Sequence, residues 1–333
     1  MPLHGSPVIW LVSDGRAGHN ALVRSIGEAL AASEKFSAED PSLRRIQLTP
    51  QAPWTWLPGP SWPMALSALR KSQRRELNPP WPDIWIGAGR RIAPYTNKVR
   101  SWSGHQTFTV QILDAGLRND RVDLQVIPEH DQVSGENMIQ TVGSPAFFSP
   151  ADIDRAKAAD AEMVRETRQK ALVLLGGPSK THTFDQQAAD RIINHLDTLA
   201  EADWAVFVSA SSRTPASIRK RFVDWSARRG ATYWDSSKRT QNPYISWLSS
   251  ADIAVVTEDS ANMISEAAFL GCPIYLARLS GHSDKFDRMH AGFIERGYAR
   301  WLEVFDANSL WTYSPLREAE RVASEIIQRW RAK

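Results

Sequence analysis

Short, nearly unbroken apolar runs punctuate the chain, and each ends in a polar, glycine-bearing turn. Residues 8–12 read Val-Ile-Trp-Leu-Val, and further runs fall at 84–86, 107–113, 124–127 and, briefly, 142. Runs that are apolar at successive positions, not alternating, predict strands covered on both faces, as in a parallel sheet. Between them the apolar period changes to that of a helix, with Leu22, Ile26, Ala29 and Leu30 on one face of 21–32. A charged helix is predicted over 152–169, after Ser149-Pro150. The rhythm then restarts, with strands at 171–175, 204–209, 232–234 and 253–257 and helices at 185–199, 215–229 and 243–249. An amphipathic helix over 315–331 places Ala319, Val322, Ala323, Ile326, Ile327 and Trp330 on one stripe. Two successive βα series predict an α/β chain of two Rossmann-like domains. The expected divisions are 1–150, a linker helix over 151–170, a second domain over 171–310, and a terminal helix within 311–333.

Composition narrows the classes. With 42% apolar and 23% charged residues the chain is globular. Forty basic and 37 acidic residues leave a formal charge of +3, which makes no case for nucleic acid. The single cysteine, Cys272, excludes an intramolecular disulfide and a cysteine-based zinc site. The start, Met-Pro-Leu-His-Gly, has no signal-peptide pattern, and no apolar run is long enough to span a bilayer. The expected location is cytoplasmic, with a candidate peripheral contact on a membrane's cytoplasmic face. That contact rests on residues 61–76, read as a helix with Trp62, Ala65, Leu66 and Leu69 on one side and Arg70, Lys71, Arg74 and Arg75 beyond. An internal helix with a basic outer face is the competing reading.

In an open α/β sheet, ligands sit beyond the carboxyl ends of the strands. The loop after the first strand, Ser13-Asp14-Gly15-Arg16-Ala17-Gly18-His19, offers two glycines for a tight approach and a histidine at a helix start. The loop after 84–86 is Gly87-Ala88-Gly89-Arg90-Arg91. Asp114 follows the next strand, and Glu129-His130-Asp131 the one after, three ionisable groups able to supply a general base. In the second half, Gly176-Gly177-Pro178-Ser179-Lys180 combines backbone amides with a hydroxyl and a point charge suited to a diphosphate. Ser211, Arg213 and Thr214 follow the 204–209 strand, with Thr214 read as a helix N-cap before Pro215.

The most informative stretch is 255–274. It reads as a buried strand, a polar turn with Thr257, Asp259, Ser260 and Asn262, a helix carrying Met263 and Glu266, then Gly271-Cys272-Pro273 and another strand. A helix start aimed above a sheet can hold phosphate, and an acid further in can accept ribose hydroxyls. Asp152-Ile153-Asp154 has the spacing of a metal-dependent sugar transferase but opens a helix, where acids complement the dipole. The eight histidines show no ligand spacing, so no metal and no cofactor are expected.

The pattern Thr257, Asp259-Ser260, Met263, Glu266-Ala267, Gly271, Pro273 resembles the donor-nucleotide motif of GT-B glycosyltransferases. More closely, the chain resembles the mitochondrial fission Elm1-like family. It shares that family's Gln111-Ile112-x-Asp114, Pro128-Glu129-His130-Asp131, Gly176-Gly177, Asn242-Pro243-Tyr244 and 284–290 elements over roughly residues 8–302, and departs from it at Ala115, where proline is common. The 13–19 loop is similar to the first loop of the GT-B enzyme that adds N-acetylglucosamine to the peptidoglycan lipid. The resemblance implies a GT-B-like fold whose two parallel sheets face a cleft, a nucleotide-diphosphate sugar on the C-terminal domain, and an unidentified acceptor on the N-terminal one. It implies Glu266 on ribose; Ser260, Asn262 and Lys180 on phosphate; and His19 or Glu129–Asp131 as base. A nucleotide-sugar epimerase and a non-enzymatic membrane-remodelling module are the alternatives.

Overall fold

The computed structural model describes residues 6–36, 40–57, 62, 64–117, 121–238, 240–307 and 309–333. It divides into two compact units, Met1–Phe147 with Arg317–Lys333, and Phe148–Leu316.

The first unit is a six-stranded parallel sheet of β1 (Val8–Ser13), β2 (Ser42–Gln47), β3 (Ile84–Ala88), β4 (Phe108–Ile112), β5 (Leu124–Pro128) and β6 (Met138–Thr141), ordered β2-β1-β3-β4-β5-β6. Helices α1 (Ala17–Ala31), α2 (Lys71–Arg75) and α3 (Ala93–Trp102) lie in its crossovers. The chain runs outward from β1 to β2, then returns to β3 on the other side of β1. That reversal opens a crevice between the ends of β1 and β3. Strands β1, β3, β4 and β5 are buried almost throughout. Edge strand β2, Ser-Leu-Arg-Arg-Ile-Gln, buries only Ile46 and lacks the apolar run that marks its neighbours. The last strand ends at Thr141, just before the residue predicted to form it.

Much of the tryptophan is core. Trp10, Trp62 and Trp85 pack with Tyr95, Ile92 and Leu69, and the Trp62 and Tyr95 rings meet edge-on at 6.2 Å. Each such side chain contributes on the order of 2 kcal/mol through burial. Among the described residues, the single helix predicted over 61–76 is replaced by shorter pieces. A single 3-10 turn, Ala65–Ala68, precedes α2, and Trp62, Ala65 and Leu69 face inward. Three of the four residues of the predicted apolar stripe are therefore used inside the unit, and Leu66 alone is left exposed.

The second unit begins with α4 (Pro150–Ala159) and α5 (Glu162–Arg165), two helices where one was predicted. Ser149 caps α4, its hydroxyl oxygen accepting the Asp152 N–H at 3.1 Å, and Asp152 pairs with Arg155. The sheet holds β7 (Lys170–Leu175), β9 (Ala205–Ala210), β10 (Thr232–Asp235), β11 (Ile253–Thr257), β12 (Ile274–Ala277) and β14 (Ala299–Trp301), all parallel, ordered β10-β9-β7-β11-β12-β14. A two-residue ladder of β8 (His182–Thr183) and β13 (Ser280–Gly281) sits apart. In chain order the large sheet runs 3-2-1-4-5-6, so its crevice lies between the ends of β7 and β11. Helices α6 (Gln186–Glu201), α7 (Ala216–Arg229), α8 (Tyr244–Leu248), α9 (Ala261–Leu270) and α10 (Asp284–Glu295) complete it. The stretch expected as a linker is tied into this unit, since the Ser246 hydroxyl donates to the Asp160 carbonyl and Thr232 to Glu162.

The terminal helix α11 (Glu318–Ala332) belongs to the first unit. Its buried face of Ala319, Val322, Ala323, Ile326 and Ile327 packs along α1. Trp330 meets Phe36 edge-on at 5.6 Å, and the Lys333 ammonium reaches the Thr107 carbonyl and Asp123.

Candidate functional site

At the β7–β11 crevice the polar loops form one network centred on Asp259. Its side chain is fully buried. It accepts the Gly177 N–H at 3.1 Å, the Thr257 hydroxyl at 2.7 Å and the Arg213 guanidinium at 2.8 Å. The Gly176 N–H in turn donates to the Thr257 hydroxyl at 2.8 Å. Both amides that the sequence offered to a diphosphate are thus taken by protein oxygens. The glycines serve closeness. A Cβ on Gly176 would stand 2.2 Å from an Asp259 oxygen, and one on Gly177 would stand 2.4 Å from the Arg213 carbonyl. Thr214 is not the cap of α7, because Pro215 takes that position. Its buried hydroxyl instead donates to the carbonyl at the end of β7, at 3.0 Å, and Ser211 donates to the Gly176 carbonyl at 3.1 Å. Ser179 also turns inward on its own loop, its oxygen accepting the Thr181 and His182 amides. Lys180 remains exposed at the tip.

Helix α9 starts immediately after this network. Ser260 is its N-cap residue but makes no capping side-chain bond, so its hydroxyl does not cover the first-turn amides. Asn262 and Met263 are half-buried in that turn. Glu266, on the second turn, accepts a hydrogen bond from the Tyr244 hydroxyl of α8. Burial of that hydroxyl and the neighbouring carboxylate push the tyrosine well above its ordinary pKa, so it stays a donor. The partnership between Tyr244 and Glu266 was invisible in sequence, where only a shared family motif marked Tyr244.

A second buried cluster backs the loop. Glu258 accepts the Leu279 N–H, and its own carbonyl accepts from His290 Nε2 at 2.9 Å. Burial raises the Glu258 carboxyl and pushes His290 down to about 4. These residues hold the turn between β11 and α9 from below. Neither was singled out by the sequence, because each looks like an ordinary loop or helix residue until the fold juxtaposes them.

In the first unit, the β1–β3 crevice is built around Asp14 and His19. The buried Asp14 carboxylate lies 2.8 Å from His19 Nδ1 and 3.2 Å from the Arg16 N–H. A carboxylate can only accept here, which assigns the proton to Nδ1 and leaves Nε2 as the basic nitrogen. The imidazole lies against Gly89, where a Cβ would come within 2.4 Å of the ring. Gly15, at φ +84°, makes the turn and leaves room for Gln47. Gly18 does not turn, since α1 begins at Ala17 and includes it together with His19. A buried chain fixes the Gly89 side. Trp85 Nε1 donates to Thr96 Oγ1 at 3.0 Å, that hydroxyl bonds Gln111 at 2.9 Å, and the Gln111 amide donates to the Gly89 carbonyl at 3.3 Å. Gln111 lay in a noted motif, yet this role was not foreseen.

The other acidic candidates lie elsewhere on the edge. Glu129, His130 and Asp131 form a 3-10 turn after β5, three strand steps from β1, or ~14 Å at the usual spacing. Glu129 lies in the field of Arg321 on α11. Asp114 accepts the Gly116 N–H and shapes its own loop. The structure therefore joins His19 to Asp14 but does not join either to 129–131. Among the described residues, His282, Asp284 and Asp287 form a group compact enough for a metal, which the spacing of the histidines had not suggested. All three are exposed, and both ring nitrogens of His282 already face the two carboxylates, at 2.8 and 3.1 Å.

The comparisons with known proteins bear on the family and the fold. The family model for mitochondrial fission ELM1 matches residues 17–330. The chain belongs to that family. It is 31% identical over 292 residues to an uncharacterised protein of Rickettsia prowazekii, covering 74% of this chain and 79% of that protein. It is 24% identical over 271 residues to the Arabidopsis thaliana mitochondrial fission protein ELM1, covering 74% of this chain and 63% of the plant protein's length. Among solved structures, it is similar to the UDP-GlcNAc 2-epimerase of Methanocaldococcus jannaschii, with a TM-score of 0.54, 13% identity, and 96% and 99% of the two chains covered. It is also similar to the ADP-heptose heptosyltransferase II of E. coli, with a TM-score of 0.50, 10% identity, and 97% and 99% covered. Those likenesses show the fold of this ELM1-family chain to be GT-B-like, with two parallel six-stranded sheets.

Proposed function

We propose that this ELM1-family protein binds a nucleotide-diphosphate sugar on its second unit and acts as a glycosyltransferase toward an acceptor hydroxyl. The observation that carries this is the start of α9: a helix N-terminus left uncovered by its own cap residue, at the crevice of a 3-2-1-4-5-6 sheet, with Glu266 held by Tyr244 on the next turn. Ribose hydroxyls donate to Glu266. The first-turn amides, Ser260 and Asn262 take phosphate oxygens, with Arg213, held by Asp259 beside that turn, and the exposed Lys180 as the cations. Support also comes from a fold neighbour solved with UDP-GlcNAc and UDP, at a TM-score of 0.50.

On the first unit, His19 Nε2 takes the proton of the acceptor hydroxyl while Asp14 holds the ring and stabilises the imidazolium. The acceptor oxygen then bonds the anomeric carbon, the bond to the diphosphate breaks, and the leaving charge is met by helix dipole and cations. This route uses no metal.

The test is a thermal-shift screen against nucleoside diphosphates and their sugars, with parent and Glu266→Ala proteins. A true ligand at 100 times its Kd stabilises the parent by ~2.7 kcal/mol. No shift for any of them, or an equal shift in the variant, removes the donor site. Conversion of a nucleotide sugar without any acceptor present would favour the epimerase reading instead.

A further inference from the structure

The connection between β2 and β3 carries an apolar surface that the core does not use. Nine large hydrophobic residues are exposed among the described residues, and four lie in this one connection: Trp56, Leu57, Met64 and Leu66. Trp56, at 79% exposure, and Met64, at 64%, are the two most exposed of the nine. The two arms of the connection run side by side. The Gln51 N–H donates to the Ala68 carbonyl at 2.9 Å, and the Trp54 and Trp62 rings meet at 6.2 Å. Trp62, Ala65, Ala68 and Leu69 anchor these arms in the core. The exposed four are thus held on a fixed base.

Cations flank them. Arg70, Lys71 and Arg75, at and within α2, are exposed and make no ion pair among the described residues. Arg74 differs, since its guanidinium is spent on the Leu69 and Ser67 carbonyls. Exposed apolar side chains that include a tryptophan, beside unpaired cations, match the boundary of an anionic bilayer, where indole sits at headgroup level and lysine and arginine meet phosphate.

We propose that this connection docks the protein on an anionic lipid bilayer, with Trp56, Leu57, Met64 and Leu66 entering the headgroup region and Arg70, Lys71 and Arg75 pairing with lipid phosphates. The surface keeps Leu66, Arg70, Lys71 and Arg75 of the helix expected from sequence, whose Trp62, Ala65 and Leu69 are internal, and adds Trp56, Leu57 and Met64. The connection leaves β2 at the loop-bearing edge of the first sheet, and Gln73 of α2 donates back to the Gln47 carbonyl at 3.2 Å. Gln47, the last residue of β2, sits against Gly15 of the Asp14–His19 loop. The docking stands whether or not the proposed sugar transfer does.

The test is co-sedimentation of the full chain with vesicles of equal parts phosphatidylcholine and phosphatidylglycerol, against vesicles of phosphatidylcholine alone. The parent should bind the anionic vesicles, more weakly as salt rises, and bind the neutral ones poorly. Arg70→Gln, Lys71→Gln and Arg75→Gln together should lower the affinity on the order of 100-fold, about fivefold per cation. Trp56→Ser with Met64→Ser should lower it more than tenfold with an unchanged melting temperature, because both side chains are exposed. A parent that ignores both vesicles overturns the proposal, and so does a Trp56/Met64 variant that binds as the parent does. Retained donor-induced thermal shift in these variants separates this surface from the nucleotide site.

Discussion

The two crevices are built alike and used differently. Each lies where a parallel sheet reverses its strand order, and each has glycines after one strand and an aspartate after another. In the second unit the aspartate is consumed, because Asp259 saturates itself on Gly177, Thr257 and Arg213 and locks the loops together. In the first unit the aspartate acts through a neighbour, because Asp14 orients His19 and leaves one ring nitrogen basic. Glycine follows the same division. Gly176 makes room for a carboxylate that holds structure, and Gly89 makes room for an imidazole that can do chemistry. A polar loop at a strand end is therefore not a site until its hydrogen bonds have been counted.

The contrast is most exposed at His19. His19→Ala should lower turnover by ~10²–10⁴-fold, the usual worth of a positioned base, and leave donor affinity unchanged. Steady-state kinetics beside calorimetric titration would show it. An equal loss in His130→Ala would place the base at the 129–131 turn and dissolve the contrast.

Acid should reveal the buried side of the second crevice. His290 is held at about 4 against an ordinary 6.5, so between those values the unfolded chain binds a proton that the folded one refuses. Stability should fall as pH drops from 6.5 toward 4, by at most ~3 kcal/mol. Glu258 opposes this, since its raised carboxyl takes a proton more readily when folded. Urea unfolding across that range should steepen in the parent and flatten in His290→Gln. A parent with no slope would mean the two groups cancel.

The glycines offer a milder version of the same test. Gly176→Ala should destabilise the second unit by ~1–3 kcal/mol through a clash with Asp259, a fully buried group that cannot retreat. Gly89→Ala should cost stability as well, because this residue sits at φ +83°, and should in addition reduce turnover by displacing His19. Melting curves and rates on both variants would sharpen the comparison, and two purely structural losses would break it.

The smallest effect belongs to Tyr244. Removing its hydroxyl in Tyr244→Phe deprives Glu266 of one orienting bond, worth ~1 kcal/mol, so nucleotide affinity should fall about fivefold. Calorimetric titration would detect that, and unchanged affinity would detach Tyr244 from the site.

Most strands were legible because burial on both faces writes a continuous apolar run, as at residues 171–175 and 253–257. Strand β2 was missed for the complementary reason, since an edge strand with Arg44 and Arg45 exposed has no such run. Residues 61–76 show the limit of spacing. It grouped Trp62, Ala65, Leu66 and Leu69 as one apolar face of a helix, whereas the chain makes a 3-10 turn at Ala65–Ala68 that buries Trp62, Ala65 and Leu69 and leaves Leu66 exposed. The candidate residues His19 and Glu266 were picked out by the polar loops that follow strands. Their partners were not legible: Tyr244 with Glu266, or Gln111 with Gly89, meets only after folding, and even the local pair of Asp14 with His19 needs the turn at Gly15.

The placement of α11 has a consequence for the order of events on the ribosome. The second unit is one continuous stretch, whereas the first is closed by residues 317–333. All six strands of the first sheet have been made by Thr141, yet the helix that covers α1 ends at Ala332. At ordinary elongation rates that leaves a gap of ~10–40 s. The first unit is thus completed only after the whole of the second has been made, with part of its apolar surface waiting uncovered for a chaperone or for α11.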